Sequence, residues 1–280
     1  MRHHRSVTTD LVPRVISACL VWVAVHTALP MVTAEEPLTL RILCYNIHHG
    51  EGTDGHVDLP RLAEIIREAS PDLVALQEVD DRTARTGQID QTAALARLAG
   101  MNGRFVHQLD YEGGRYGQAV LSRHPMSDVT VHWLPGTPDR ERRIAGSVNV
   151  KIRGTELMFV TTHLHHNNEE FRRRQASRLN ELFADAAPPT AGPLVILTGD
   201  LNATPDSQPL QILSQQWQSA TAGQPPFLTF PADKPERQLD YVLFRPRQRV
   251  TVLSSTVLDE PLASDHRPLL VELSVHPQPR

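Results

Sequence analysis

Short runs in which apolar and polar residues alternate, separated by stretches with helical spacing, set the outline of the chain. Leu38-Thr39-Leu40-Arg41-Ile42-Leu43-Cys44-Tyr45 alternates well enough to predict a strand that ends at Asn46. A loop rich in Gly, His and Asp follows, from His48 to Val57. Asp58 then reads as the cap of a helix, with Pro60 near its first turn and Leu62, Ile65 and Ile66 on its buried face. A second strand covers Asp72 to Gln77 and ends at Glu78, and another helix runs from about Asp90 to Leu98, stopped by Gly100.

The middle of the chain is strand-rich. Tyr116 to Ser122, Ser127 to Leu134, Ile144 to Ile152 and Leu157 to Thr162 read as strands, the last ending in His163. Asn168 to Ala184 has the spacing of an amphipathic helix, with Phe171, Gln175, Leu179, Leu182 and Phe183 facing inward. The apolar run Pro193–Leu197 predicts a buried strand, after which Gly199 is expected to give a sharp exit and Pro205 to block early helix. A short helix near Gln208 to Gln216, a polar loop from Ala220 to Arg237 and strands at Leu239–Phe244, Val250–Val257 and Leu269–Val275 complete the chain. Helices between strands, with long antiparallel runs, predict two mixed sheets packed face to face with helices outside.

Length and composition change this picture at the N-terminus. The 280 residues suit one large α/β domain, and nothing in the middle reads as a linker or a repeat. Residues 1–34 differ: Arg2, Arg5 and Arg14 precede the apolar run Val15–Leu29, then come Val32-Thr33-Ala34 and the acidic Glu35-Glu36. That is the pattern of a signal peptide cleaved after Ala34, which leaves residues 35–280 as the domain and places the protein in the periplasm or outside the cell. An uncleaved N-terminal anchor is the alternative reading of the same run. Ile16-Ser17-Ala18-Cys19 is no lipoprotein box, because the apolar run follows the cysteine. The mature chain has no expected membrane span, retains only Cys44 and so forms no internal disulfide. It carries 25 basic against 31 acidic residues, and its only lysines are Lys151 and Lys234. This balance argues against coating duplex nucleic acid through bulk charge, while arginine-rich local sites for phosphate remain compatible with it.

The candidate chemistry gathers at strand ends. Asn46, Glu78, His163, Asp200 and Asn202 fall at or beyond predicted strand termini, whereas Asp240 and the pair Asp265-His266 sit at or before strand starts. In an antiparallel pairing one strand's start lies beside its neighbour's end, so all of them can share one rim. Read singly, Glu78 is a solvated loop acid, Asp200-Leu201-Asn202 an Asx-rich turn and Asp265-His266 a surface pair. Their common position at strand termini favours a site.

The blocks Tyr45-Asn46-Ile47, Leu76-Gln77-Glu78-Val79-Asp80, Tyr116-Gly117-Gln118-Ala119-Val120-Leu121-Ser122 and Thr162-His163-Leu164 occur in order along the chain. Gly199-Asp200-Leu201-Asn202, Leu239-Asp240-Tyr241-Val242 and Ser264-Asp265-His266-Arg267-Pro268 come after them. Together they resemble the endonuclease/exonuclease/phosphatase superfamily, similar to DNase I, over about Leu38 to Leu273. The resemblance implies a four-layered α/β sandwich and metal-assisted hydrolysis of a phosphoester, with Mg²⁺ or Mn²⁺ as cofactor. It implies Glu78 as principal metal ligand with Asn46 and Asp265 close by, and Asp200 and Asn202 as the groups that activate and position water. His266, oriented by Asp240, and His163 would contact the phosphoryl oxygens, and Tyr116 and Arg143 would help bind substrate. Gln118 departs from the family's usual Asn after Tyr-Gly. The pairs His48-His49 and His165-His166 add imidazoles near the rim, either as polar loop histidines or as contacts to phosphate or a second metal ion such as zinc or manganese. The expected substrate is a phosphodiester in nucleic acid, a phospholipid head group or a small molecule, with no protein partner evident. A catalytically silent phosphate-binding module on the same fold is the competing function, and the intact Asp200, Asp240 and His266 set weighs against it.

Overall fold

The first alternating run forms strand β1 (Leu38–Asn46), which sends Leu40, Ile42 and Cys44 to one side and Leu43 and Tyr45 to the other. The computed structural model describes residues 1, 3–4, 36–137, 141–183, 192–223 and 225–277, and the apolar run of the expected leader and its cleavage site lie outside the described residues. All the described strands and helices belong to one compact unit, Glu35–Arg280.

After β1 come α1 (Leu59–Ala69), β2 (Leu73–Asp81), α2 (Gln91–Ala99), β3 (Asn102–Tyr111), β4 (Gly114–Ser122), β5 (Thr130–Trp133), β6 (Ile144–Ile152) and β7 (Thr155–His163). The second half adds α3 (Glu169–Phe183), β8 (Leu194–Asp200), α4 (Gln208–Ser214), β9 (Gln218–Ser219), β10 (Asp240–Arg245), β11 (Val250–Val257) and β12 (Leu269–Val275). One sheet has the order β11-β12-β1-β2-β4-β3 and the other β5-β6-β7-β8-β10-β9. Each is mixed, with one parallel pair (β1 with β2, β7 with β8) among antiparallel neighbours. Leu40, Ile42 and Val271 of the first sheet pack with Phe159, Ile196 and Phe244 of the second, forming the central core. The outer face of the first sheet buries Leu62, Ile66 and Leu95 of α1 and α2, and that of the second buries Leu179, Leu210 and Leu213 of α3 and α4. This is the four-layered α/β sandwich.

Local chemistry accounts for the helix ends. Asp58 accepts from the Arg61 N–H at 3.0 Å and Asp90 from the Ala93 N–H at 2.9 Å, each satisfying a donor that the first helical turn leaves free. Gly100 closes α2 in the left-handed region.

Three expectations change. Strand β2 continues past Glu78 to Asp81, its register against β4 shifts between Gln77 and Val79, and Glu78 takes φ 58°. Glu78 is therefore the extra residue of a β-bulge, a device that re-aims one side chain at the rim of a sheet. Strand β3 was not expected, because its polar start, Asn102-Gly103-Arg104, shows no alternation; as the outermost strand it is held by its ladder with β4.

Gly199 is the third case. It makes no turn but lies inside β8, opposite Thr162 of β7. A Cβ there would overlap the Thr162 carbonyl oxygen and lie within 3.1 Å of the Thr162 nitrogen. Backbone cannot move aside as a flexible side chain can, so Gly199→Ala is expected to destabilise the fold by about 3 kcal/mol or more, above the usual cost of a modest overpacking. Urea denaturation measures this. An unchanged midpoint would mean that β7 and β8 do not approach as described.

Candidate active site

Three neighbouring strands deliver the centre of the rim in one row. His163 lies opposite Asp200 in the parallel β7–β8 pair, and Asp240 lies opposite Asp200 in the antiparallel β8–β10 pair. All three are buried, as are Asn46 at the end of β1 and His266 in the loop before β12. That loop is tied down by Ser264, whose hydroxyl donates to the Asn46 carbonyl at 2.7 Å, and by the Ala232 N–H, which donates to the Asp265 carbonyl at 2.7 Å. The turn after Asp200 is held by the Tyr241 hydroxyl, which donates to the Ala203 carbonyl at 2.8 Å.

Asp200 is where the hydrogen bonds meet. Its Oδ2 accepts from Asn46 Nδ2 at 3.1 Å and faces His163 Nε2 at 3.5 Å and His266 Nε2 at 3.6 Å. Its Oδ1 accepts from the Asn202 N–H at 2.8 Å, which draws Asn202 into a left-handed conformation of φ 48°. Asn202 Nδ2 donates to the Leu164 carbonyl at 3.2 Å. Burial pushes the Asp200 pKa up and the neighbouring Asp240 charge adds to this, against the opposing pull of His266 and the N–H donors. A carboxylate raised in this way is a better proton acceptor near neutrality than an ordinary aspartate.

The two histidines are held in different states. His266 Nδ1 donates to Asp240 Oδ2 at 2.8 Å, and the Thr229 hydroxyl donates to the same oxygen at 2.6 Å. Burial opposes charge on His266, but Asp240 and Asp200 outweigh it and bring the pKa up to about 10. The Phe230 ring lies beside the imidazole, with centroids 4.8 Å apart. His163 is held well below the usual histidine range, by burial first and then by Arg143. Arg143 donates to His163 Nδ1 at 3.3 Å, so the His163 proton sits on Nε2, the nitrogen that faces Asp200.

Glu78 stands beside this row. Asn46 Nδ2 donates to Glu78 Oε1 at 3.0 Å as well as to Asp200, so one carboxamide ties the two acids together, while Asn46 Oδ1 accepts from the His48 N–H. The half-buried Glu78 carboxylate has no other hydrogen bond among the described residues. Next to it opens a cleft of about 360 Å³ lined by Glu78, Arg85, Leu109, Tyr111, Tyr116 and Glu141. Arg85 is anchored by Asp80 and lies over the rings of Tyr111 and Tyr116.

The structure thus brings Asn46, His163, Asp200, Asp240 and His266 into one connected cluster, with Glu78 joined through Asn46 and Asn202 through the Asp200 turn. Asp265 takes the neighbouring Ser264 hydroxyl at 3.4 Å on Oδ1, and its charge adds to those acting on His266. Tyr116 lines the cleft. Arg143 is buried and uses its guanidinium on Glu141, His163 and His166. Gln118 is fully buried and bridges the sheets, accepting from Thr161 and donating to the Ile144 carbonyl. Cys44 is also fully buried, and burial raises its thiol well above the usual range, which makes it inert. Thr229 and Phe230 have no signal in the sequence, since no local pattern marks a loop hydroxyl or ring that folds back onto Asp240 or His266, and Ser264 is marked only as part of the block around Asp265-His266.

A family model described as Endonuclease/Exonuclease/phosphatase family matches residues 43–266. Among solved structures, the chain is similar to an endonuclease/exonuclease/phosphatase from Beutenbergia cavernae DSM 12333, at 26% identity over 85% of this chain and 72% of that one, with a TM-score of 0.68. A family protein from Bacteroides thetaiotaomicron has 20% identity over 88% of this chain and 99% of its own, TM-score 0.68. A mannosyl-6-phosphatase from Bacteroides thetaiotaomicron VPI-5482 has 20% identity over 84% and 99%, TM-score 0.65. The last two likenesses bear on the fold alone.

Proposed function

We propose, from the premise that this chain belongs to the endonuclease/exonuclease/phosphatase family of metal-dependent phosphoesterases, that it is an exported phosphodiesterase working at the Asp200 rim. The observation that carries the reading is the convergence of His163, His266, Asn46 and the Asn202 N–H on the two oxygens of one buried carboxylate. A structural aspartate needs partners, but not two imidazoles from separate strands and loops with opposite pKa shifts.

The donor set fits a divalent cation: Glu78 is a half-buried carboxylate with a single neutral hydrogen-bond donor and no paired cation among the described residues. Glu78 and Asp265, with Asn46 beside them, would hold Mg²⁺ or Mn²⁺, which when bound neutralises phosphoryl oxygens and stabilises the leaving oxygen. Asp200 accepts the proton of the attacking water, and Asn202 fixes the carboxylate's direction. His266, charged and aimed by Asp240, stabilises the negative charge that builds on phosphorus-bound oxygen. His163 offers a neutral N–H to the same region, and Arg143 holds its tautomer. Tyr116 contacts the substrate from the wall of the cleft.

Charge favours a diester over a monoester. The buried Arg143 is already paired with Glu141 and the cleft-lining Arg85 with Asp80, so neither arginine is free to take the second negative charge of a dianion. Among the described residues no helix is long and apolar enough to cross a membrane. Export rests on residues 1–34, and a purified extracellular or periplasmic form is expected to begin at Glu35.

Hydrolysis of an aryl phosphodiester with Mg²⁺ or Mn²⁺, with chelator, and in parallel with the matching monoester tests the reading. Metal-dependent turnover of the diester that chelator abolishes is the expected result. No turnover with either metal, or faster turnover of the monoester, would overturn it.

A further inference from the structure

The phosphodiesterase reading leaves one set of donors beside Glu78 unused. A single 3₁₀ turn, His48–Gly50, follows β1 and places both histidines against the bulged Glu78. One ligand atom from each of His48, His49 and Glu78 lies within 4.8 Å of the other two. Zinc–nitrogen bonds of about 2.0–2.1 Å set ligand atoms about 3–4 Å apart, a spacing that this limit accommodates.

Hydrogen bonding decides which nitrogen each ring presents. His48 Nδ1 lies 3.3 Å from the Glu51 carbonyl oxygen. A carbonyl only accepts, so Nδ1 carries the proton and Nε2 keeps the lone pair. His49 is reversed: its Nε2 faces the Glu51 carboxylate at 3.5 Å, and its buried Nδ1 has no hydrogen-bond partner. Leaving a buried ring nitrogen unpaired is costly, as is holding two successive residues without glycine's freedom at φ 44°. The backbone oxygen on His48 and the carboxylate on His49 are the outer contacts that orient metal-binding imidazoles elsewhere.

We propose that His48 Nε2, His49 Nδ1 and a Glu78 oxygen form a binding site for a divalent transition ion of the zinc or cobalt kind. Two imidazoles and a carboxylate suit such an ion far better than Mg²⁺, which prefers oxygen donors. The site shares Glu78 with the hard-cation set and rests on the reading of that residue as a ligand. Loading it with zinc places a second positive charge at the edge of the phosphate site.

The test is Co²⁺ uptake by the full chain, purified without a histidine tag and stripped with chelator. Wild-type protein is expected to retain one equivalent through gel filtration and to show the visible absorption of nitrogen-bound cobalt. His48→Ala and His49→Gln are each expected to weaken Co²⁺ binding at least tenfold, and the double variant to lose the band. His266→Ala, which alters the other described cluster of histidine and carboxylates, is expected to keep it. Circular dichroism checks each fold, and if His49→Gln is unfolded the half-buried His48 position decides. Cobalt uptake that survives in the His48→Ala variant, or that disappears with His266→Ala, would overturn the assignment. Mg²⁺-dependent hydrolysis by the wild-type sample separates the two readings: hydrolysis without cobalt uptake removes this site and leaves the phosphodiesterase standing.

Discussion

Asp200→Asn is expected to lower kcat/KM for metal-dependent diester hydrolysis by about 10³–10⁴-fold, the upper part of the range for removing a general base. The substitution keeps the shape and one oxygen but removes the buried carboxylate that, among the described residues, both imidazoles face. Stability is expected to change little. The folded protein raises the Asp200 pKa, so the group's contribution to stability is present below its ordinary carboxylate range and is lost as pH rises through the folded value. Above its raised pKa the ionised carboxylate opposes the fold by its own burial while supporting the His266 imidazolium, so removing it offsets part of the lost contact to His266 and of the hydrogen bond that an amide in its place cannot accept. Hydrolysis and urea denaturation, both run on metal-stripped protein with metal added back only to the assay, would show an inactive enzyme of near wild-type midpoint. Retention of more than a tenth of the activity would show that water is activated elsewhere.

Why this carboxylate was legible in the sequence while its neighbours were less so comes down to range. Asp200 follows a β-branched run and precedes Pro205, so its place at a strand's end is local information. His163 and Asp240 are legible for the same reason, and register alone then puts them in its row. Glu78 is expected at a strand's end, but its strand does not stop there and bulges instead, and a left-handed φ on a glutamate has no signature in composition. Gly199 shows the converse, a glycine read as a turn residue whose real constraint is the Thr162 backbone across the β7–β8 pair. Thr229 was invisible because it lies in a polar stretch with no periodicity and matters only once that stretch folds over Asp240. The layers needed none of this detail, since alternation and helical spacing each specify a face to bury.

His266→Ala is expected to reduce kcat by about 10²–10³-fold, the usual cost of deleting one preorganised donor to a developing negative charge. The effect through its partner is the sharper test. Asp240 first, and then Asp200, supply the charge that brings His266 up to about 10 against the opposing cost of burial. In wild type the folded pKa lies above the ordinary histidine value, so the stabilisation is fully present below about pH 6.5, the unfolded value, and is lost as pH rises through about 10. Activity that needs the imidazolium should fall over the same upper limb. Asp240→Asn keeps the volume, and its side-chain oxygen can still take the bonds from His266 Nδ1 and the Thr229 hydroxyl, but the charge is gone. Burial is then opposed only by Asp200 and Asp265, so the upper limb of the pH–rate profile is expected to shift down towards the ordinary histidine range and the alkaline loss of stability to flatten. A merely structural aspartate would lower the denaturation midpoint at every pH alike and leave the shape of the rate profile unmoved. Superimposable profiles for Asp240→Asn and wild type would therefore remove Asp240 as the group that holds the charge on His266, whatever the fall in rate.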